Sequence, residues 1–288
     1  MLTRRQCLLA GGGLIVAAGT GAALGTETPQ GRRVLRRLGV ISSPDLTVPV
    51  ARGITFQDGE LASRFVPSPP GWRIAIPPAQ LGPPVGIVYC LHGRGDDQRF
   101  VFDDVRLPDF VVASGTPLVV AAVDGGPDSY WHERADGSDA MKMLLQEFMP
   151  MVEQRTGRLD ASLLGWSMGG YGALLAAETA PERFTAVLAV SPALWTSPGD
   201  SAPGAFDDAN DYRRHDVFPG RDRLKEVMVR VDCGEDDPFL GASKRFVGGL
   251  TSPHTSSFGP GGHDVGYWRS VAPAQLVTIA EALAGRPN

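Results

Sequence analysis

The stretch Ser162-Leu163-Leu164-Gly165-Trp166-Ser167-Met168-Gly169-Gly170-Tyr171-Gly172-Ala173-Leu174-Leu175 contains the change of period that decides the fold. Residues 162–166 form a short apolar run of the kind buried on both faces of a parallel sheet. Residues 168–180 are Ala/Leu-rich and read as a helix, which Pro181 forbids to continue. Between the two lies Gly165-x-Ser167-x-Gly169. A serine on a strained strand-to-helix turn needs small residues on both sides, and the helix start behind it aims backbone N–H groups at an anion forming beside the hydroxyl. Strand, turn, glycines and helix stand here in that order, so Ser167 is the candidate nucleophile and the N–H of Met168 one candidate oxyanion donor.

Outward from this unit the same texture repeats. Residues 85–91, 118–123, 186–190 and 227–231 are short Val/Leu/Ile-rich runs ended by Gly, Asp, Ser or Pro. Helical stretches alternate with them over 140–155 and 271–283, while the short alternating runs 54–56 and 72–76 predict an antiparallel entry to the sheet. The expectation is an α/β protein with a doubly wound, mostly parallel sheet. Ligands in such a sheet bind at the carboxyl ends of the strands, so the loops after each run are where chemistry is sought.

The run 85–91 is closed by His92-Gly93-Arg94-Gly95-Asp96-Asp97. An oxyanion hole needs a second backbone donor from a loop after an earlier strand, and the N–H of Arg94 is the candidate, with His92 read as a structural group beneath the loop. A base follows the serine in this chain order, and of His215, His254 and His263 only the last stands in a glycine-rich loop, Gly259-Pro260-Gly261-Gly262-His263, just before the final helix. The acid belongs to the loop Asp232-Cys233-Gly234-Glu235-Asp236-Asp237, whose four carboxylates leave the individual residue open. Trp131 and His132, after the run 118–123, are candidate substrate contacts. Residues 195–223, rich in Ser, Pro, Gly and Asp, are expected to form a small lid-like insertion.

Taken together, the His92-Gly93-Arg94-Gly95, Gly165-x-Ser167-x-Gly169, Cys233-Gly234-Glu235-Asp236-Asp237-Pro238-Phe239 and Gly261-Gly262-His263-Asp264 motifs resemble the putative-esterase branch of the α/β-hydrolases. That branch includes esterase D (S-formylglutathione hydrolase), feruloyl and enterobactin esterases and the mycobacterial mycolyltransferase antigens, and the resemblance runs from about residue 85 to the C-terminus. It implies the α/β-hydrolase fold, a serine carboxylic ester hydrolase and a Ser-Asp-His triad, with the acid in a G-x-x-D turn that maps onto Gly234 and Asp237. Asp237 is also favoured because Asp232 ends the strand, Gly234 allows a backbone reversal, Pro238 suits the first turn of the next helix, and Glu235 and Asp236 then become the exposed members of the turn. The His92-Gly93-Arg94 loop and the 195–223 insertion depart from the mycolyltransferases, whose acceptor contacts therefore do not carry over. Acyl transfer to a sugar or cell-envelope acceptor is the alternative within the enzyme class, and a catalytically inactive envelope-binding protein the alternative outside it.

The chain has 288 residues, 43% of them hydrophobic, and a formal net charge of -5, which excludes a polyanionic partner such as nucleic acid. The expected partner is a small-molecule, lipid or sugar ester, with cell-envelope association open and with no metal or cofactor required. Thr3-Arg4-Arg5-Gln6-Cys7-Leu8-Leu9, followed by a Gly/Ala-rich run, reads as a twin-arginine export signal over residues 1–25, with either cleavage near Ala23-Leu24-Gly25 or retention as an anchor. The expected destination is extracytoplasmic. Residues 26–45 then read as a linker, whose basic, Leu-spaced stretch 32–37 is either part of it or a first short helix, with its charges solvated, ahead of one hydrolase domain over 46–288. Cys90 and Cys233 are expected as buried thiols on separated strands.

Overall fold

A computed structural model describes residues 29–37 and 40–285; the expected signal segment lies outside them. The strands are β1 (Thr55–Glu60), β2 (Gly71–Ile76), β3 (Gly86–Leu91), β4 (Leu118–Val123), β5 (Asp160–Trp166), β6 (Phe184–Val190), β7 (Met228–Asp232) and β8 (His254–Ser257). They form one eight-stranded sheet in the order β1-β2-β4-β3-β5-β6-β7-β8. β1, β2 and β4 pair antiparallel, and every other neighbouring pair is parallel. The doubly wound, mostly parallel sheet and its antiparallel entry are therefore as expected.

Period two along each strand divides the core. Tyr89, Leu91 and Leu163 face one layer with Leu144, Phe148 and Leu174, whereas Val88, Cys90, Leu164 and Trp166 face the other with Phe100, Phe110, Leu276 and Ile279. Because helices cover both faces, β3, β4 and β6 are buried along their whole length, which is why they read as unbroken apolar runs.

The helices are α1 (Pro29–Arg37), α2 (Phe100–Asp103), α3 (Leu107–Ser114), α4 (Ala140–Met143), α5 (Met149–Thr156), α6 (Met168–Thr179), α7 (Ala209–Arg214), α8 (Leu240–Val247) and α9 (Val265–Ala284). Two departures from expectation have local causes. The helix expected over 140–155 is split by a wide π turn at Leu144–Phe148. Pro150 has no N–H to return to the preceding turn, and the carbonyl of Leu145 accepts from Arg183 Nη1 at 2.6 Å instead. The last helix starts earlier than expected because the Asp264 carboxylate caps it, accepting the N–H of Tyr267. Of the two readings of the basic stretch, linker or short helix, the helix is found, over Pro29–Arg37.

Cys90 and Cys233 are free and buried, on strand β3 and just after β7, with β5 and β6 between them. Among the described residues no helix is long and apolar enough to cross a membrane.

Candidate active site

Ser167 stands between β5 and α6 at φ 53° and ψ -115°, a conformation costly for any residue with a side chain. The neighbouring glycines make it attainable. A Cβ at Gly165 would lie 2.0 Å from the carbonyl oxygen of Gly169, and one at Gly169 would lie 1.9 Å from that of Leu91. The turn is fastened on its other side by Ser167 N–H to Val190 O at 2.9 Å and Ala193 N–H to Ser167 O at 2.9 Å. As the first residue of α6, Met168 has an N–H with no carbonyl partner four residues back in the helix, so this donor is available beside the serine hydroxyl.

The loop after β3 lies directly against the serine, since a Cβ at Gly93 would be 3.7 Å from Ser167 Cβ. His92 is buried and sets the orientation of this loop. Its Nε2 accepts the N–H of Gly125 at 2.8 Å, which leaves Nδ1–H to donate to Gly93 O at 2.8 Å. Asp96 N–H reaches the same carbonyl at 3.3 Å. In a trans peptide the N–H points opposite to the C=O, so fixing Gly93 O fixes the direction of the Arg94 N–H. The Arg94 side chain is exposed, 3.4 Å from Pro203 O and 3.9 Å from Asp128 Oδ2.

The loops that carry Asp237 and His263 meet over this serine. His263 Nε2 is 2.9 Å from Ser167 Oγ, and His263 Nδ1 is 2.8 Å from Asp237 Oδ2. Of the carboxylates in the loop, Asp237 alone touches the imidazole; Asp232 pairs with Arg230 and Gln275, and Glu235 is exposed. Burial pushes the Asp237 carboxyl up, but the hydrogen bond and charge of His263, the Phe239 N–H at 2.8 Å and the Ser191 hydroxyl outweigh it and hold it below the ordinary carboxylate range. One expectation about this turn is corrected. Asp236, expected to be exposed, is 2% exposed. Gly234 does carry the expected backbone reversal, since Asp237 N–H returns to Gly234 O at 3.0 Å, and a Cβ there would lie 2.4 Å from Gly261 O, where the two loops touch. The loops are stitched by Glu235 N–H to Gly259 O at 2.8 Å and Asp236 N–H to Gly261 O at 2.9 Å.

Three neighbours of the site escaped the sequence reading. The ring of Phe239 lies on one side of His263 and that of Trp268 on another, at centroid separations of 5.4 and 5.3 Å. Ser191, at φ 48° in the break after β6, accepts from Trp268 Nε1 at 3.0 Å and braces Asp237. Its place at the carboxyl end of a strand next to the serine's own was the available signal.

Trp131 and His132, expected as substrate contacts, are instead interior. Trp131 is 0% and His132 1% exposed. The Trp131 ring occupies space opened by Gly125 and Gly172, where a Cβ would come within 2.6 and 2.5 Å of it, and its Nε1 donates to His92 O at 3.4 Å. It is a brace beneath the loop after β3. His132 sits between Glu133 O at 2.9 Å and Ala205 O at 3.1 Å and stacks on His215 at 4.4 Å, which ties the loop after β4 to the 195–223 insertion. His132, Asp211 and His215 have potential metal-ligand atoms all within 4.8 Å of one another. Those atoms are already engaged, Asp211 accepting the N–H of Asp207 at 2.9 Å and Arg214 Nη2 at 3.0 Å. A cleft of about 610 Å³ lined by Asp124, Gly126, Asp128, Arg134, Asp136 and Asp207 lies beyond β4 and adjoins Arg94 through Asp128; Ser167, His263 and Asp237 are not in its wall.

The insertion packs as an aromatic cluster. Trp195 lies 5.6 Å from Phe239 and 5.7 Å from Tyr130, and Phe206 lies 5.1 Å from Tyr212. Through Phe239 it reaches the edge of His263.

Residues 65–278 match the family model described as "Esterase: Putative esterase", and the chain belongs to that family. It is similar to the iron(III) salmochelin esterase of Escherichia coli O6:H1 (strain CFT073), 27% identical over 214 residues, 68% of this chain and 51% of that enzyme, so the chain spans about half that relative's length. Solved structures agree on the α/β-hydrolase fold. A ferulic acid esterase superposes with a TM-score of 0.68 at 20% identity, covering 80% of this chain and 98% of its own. An S-formylglutathione hydrolase from Agrobacterium tumefaciens superposes with a TM-score of 0.68 at 19% identity, covering 83% and 99%.

Proposed function

We propose that this member of the Esterase family is a serine carboxylic ester hydrolase acting through an acyl-enzyme on Ser167. The observation that carries the reading is the continuous hydrogen-bonded line from Ser167 Oγ through His263 to the buried Asp237, at 2.9 and 2.8 Å. His263 Nε2 takes the serine proton as Oγ attacks the ester carbonyl carbon, and the resulting oxyanion is held by the N–H groups of Met168 and Arg94. Collapse of the tetrahedral species breaks the C–O bond, and His263 returns its proton to the departing alcohol. Water then enters, gives a proton to His263 and attacks the acyl carbon; a second collapse releases the carboxylic acid and restores the serine hydroxyl. Asp237 holds the Nδ1–H tautomer and stabilises the transient imidazolium.

The reading extends to small-molecule ester substrates, in keeping with the named activities of the relatives, and to delivery outside the cytoplasm through the Arg4-Arg5 signal, which lies outside the described residues. The test is labelling with a fluorophosphonate and peptide mapping of the adduct, followed by hydrolysis of a chain-length series of aryl esters with and without a polyol acceptor. An adduct on Ser167 with release of free acid supports hydrolysis. An adduct on another residue removes the proposed nucleophile, and acyl-polyol as the main product replaces water with an alcohol.

A further inference from the structure

Helix α1 does not lie free in solvent. Arg32, Arg33 and Arg36 converge on the turn that carries Asp237. Arg32 Nε donates to Asp236 Oδ1, and Arg36 Nε donates to Asp236 Oδ2 at 2.9 Å, so both oxygens of this buried carboxylate are paired with guanidinium groups. Arg33 donates to the backbone of the same turn, Nε to Asp236 O at 2.7 Å and Nη2 to Asp237 O at 2.6 Å. A second strap runs to the base loop. Arg36 Nη1 donates to Ser43 Oγ at 3.3 Å, which accepts the N–H of Gly262 at 2.8 Å and itself donates to Asp264 Oδ2. Gly262 and Asp264 are the two chain neighbours of His263. Three arginines of the basic stretch expected to be solvated thus dock the helix on this turn.

We propose that Arg32, Arg33, Arg36 and Ser43 are positioning residues that set the Asp237 turn and the His263 loop in register, from a segment that precedes the part of the chain matching the Esterase family. The proposal rests on the reading of Ser167, His263 and Asp237 given above. Two effects make the clamp more than a tether. Asp236 and Asp237 are adjacent carboxylates in a dry turn, at 2% and 0% exposure. Unpaired, the Asp236 charge would repel that of Asp237 and compete for the imidazole proton; held by two guanidinium groups, it does neither. In addition, the relay needs its heavy atoms placed to a fraction of an ångström, and the straps restrain the backbone on both sides of it, at Asp236 and Asp237 and at Gly262 and Asp264.

The test compares the whole protein with its Arg32→Gln/Arg36→Gln and Arg32→Lys/Arg36→Lys double variants and with Ser43→Ala. Each is titrated for active serine with a fluorophosphonate, assayed for kcat and KM on an aryl ester, and examined by proton NMR for the low-field Nδ1–H that His263 shares with Asp237. The Gln pair is expected to label at full stoichiometry, to lose about 10- to 100-fold in kcat with KM within about threefold, and to shift or broaden the low-field proton. The Lys pair restores the charge beside Asp236 and is expected to recover most of that loss; Ser43→Ala is expected to show a smaller loss of the same kind. The proposal is overturned if the Gln pair keeps kcat within twofold of the parent with an unmoved low-field proton. It is equally overturned if kcat falls only in proportion to the fraction of serine that labels, because that result describes unfolding rather than misplacement. The NMR signal is read without substrate, so a parent protein that fails to hydrolyse esters counts against the proposed activity while the clamp is still judged by that signal.

Discussion

The ring of Phe239 meets the imidazole of His263 at 62°, with centroids 5.4 Å apart. The same residue donates its N–H to Asp237 Oδ1 and touches Trp195 of the insertion. One residue thus links the Asp237 turn, His263 and the 195–223 segment. Phe239→Ala keeps the backbone donor but uncovers a flank of the imidazole and detaches Trp195. We expect a fall of about tenfold in kcat/KM, with Phe239→Leu closer to the parent; steady-state kinetics on one aryl ester checks both. An Ala variant indistinguishable from the parent would show that the ring does not help to hold His263.

Only one carboxylate of the acid loop faces His263, and the amide variants separate it from the others. Asp237→Asn reverses the partner that Nδ1–H requires and is expected to lose about 10⁴-fold in turnover, while Glu235→Gln, at an exposed position, leaves turnover unchanged. Ser167→Ala is expected to abolish both turnover and fluorophosphonate labelling. Full labelling of the Ala variant would move the nucleophile elsewhere.

Two glycines in the same region predict opposite outcomes. A Cβ at Gly234 would stand 2.4 Å from Gly261 O, so Gly234→Ala must part the acid and base loops, and we expect it to lose activity and to melt earlier. At Gly241, in α8, a Cβ meets nothing within 4 Å, so Gly241→Ala is expected to stabilise by about 0.5–1 kcal/mol with activity unchanged. Thermal melts and kinetics of the two variants, side by side, test whether close approach and not backbone freedom explains Gly234.

Glu178 on α6 gives a pH dependence far from the active site. Its side chain is buried, with Oε1 unpartnered, and burial pushes its pKa up to about 9. A carboxyl with a folded pKa above its unfolded one stabilises the fold while protonated. Its contribution is complete below the unfolded value and is lost as pH rises towards 9, with a slope of up to about 1.4 kcal/mol per pH unit. Glu178→Gln, neutral at every pH, is expected to match the parent near pH 5 and to exceed it in stability by a few kcal/mol at pH 8. Urea denaturation across this range measures it. Parallel parent and variant curves would mean that Glu178 is ionised in the fold.

Much of the architecture is determined locally and is therefore legible in the chain. A strand buried on both faces must be apolar throughout, so residues 118–123 coincide with β4 to the residue. Ser167 needs glycines two places before and after it, because a Cβ there would strike backbone oxygens, and that constraint is written in consecutive positions. His263 and the acid loop could be located by their order after the serine and by their place at strand ends. What consecutive residues do not encode is which groups meet from distant parts of the chain. Trp131 and His132 follow a strand end as substrate contacts do, yet the vacancies left by Gly125, Gly172 and the insertion draw them into the interior. Asp236 looks like a polar turn residue, and the basic run 32–37 like a solvated linker. Each reading fails for the same reason: the charges of one neutralise the other across roughly two hundred residues, as the Arg32 and Arg36 bonds to Asp236 show at separations of 204 and 200. Such a pairing depends on where the folded sheet places its loops, and only the tertiary structure decides that.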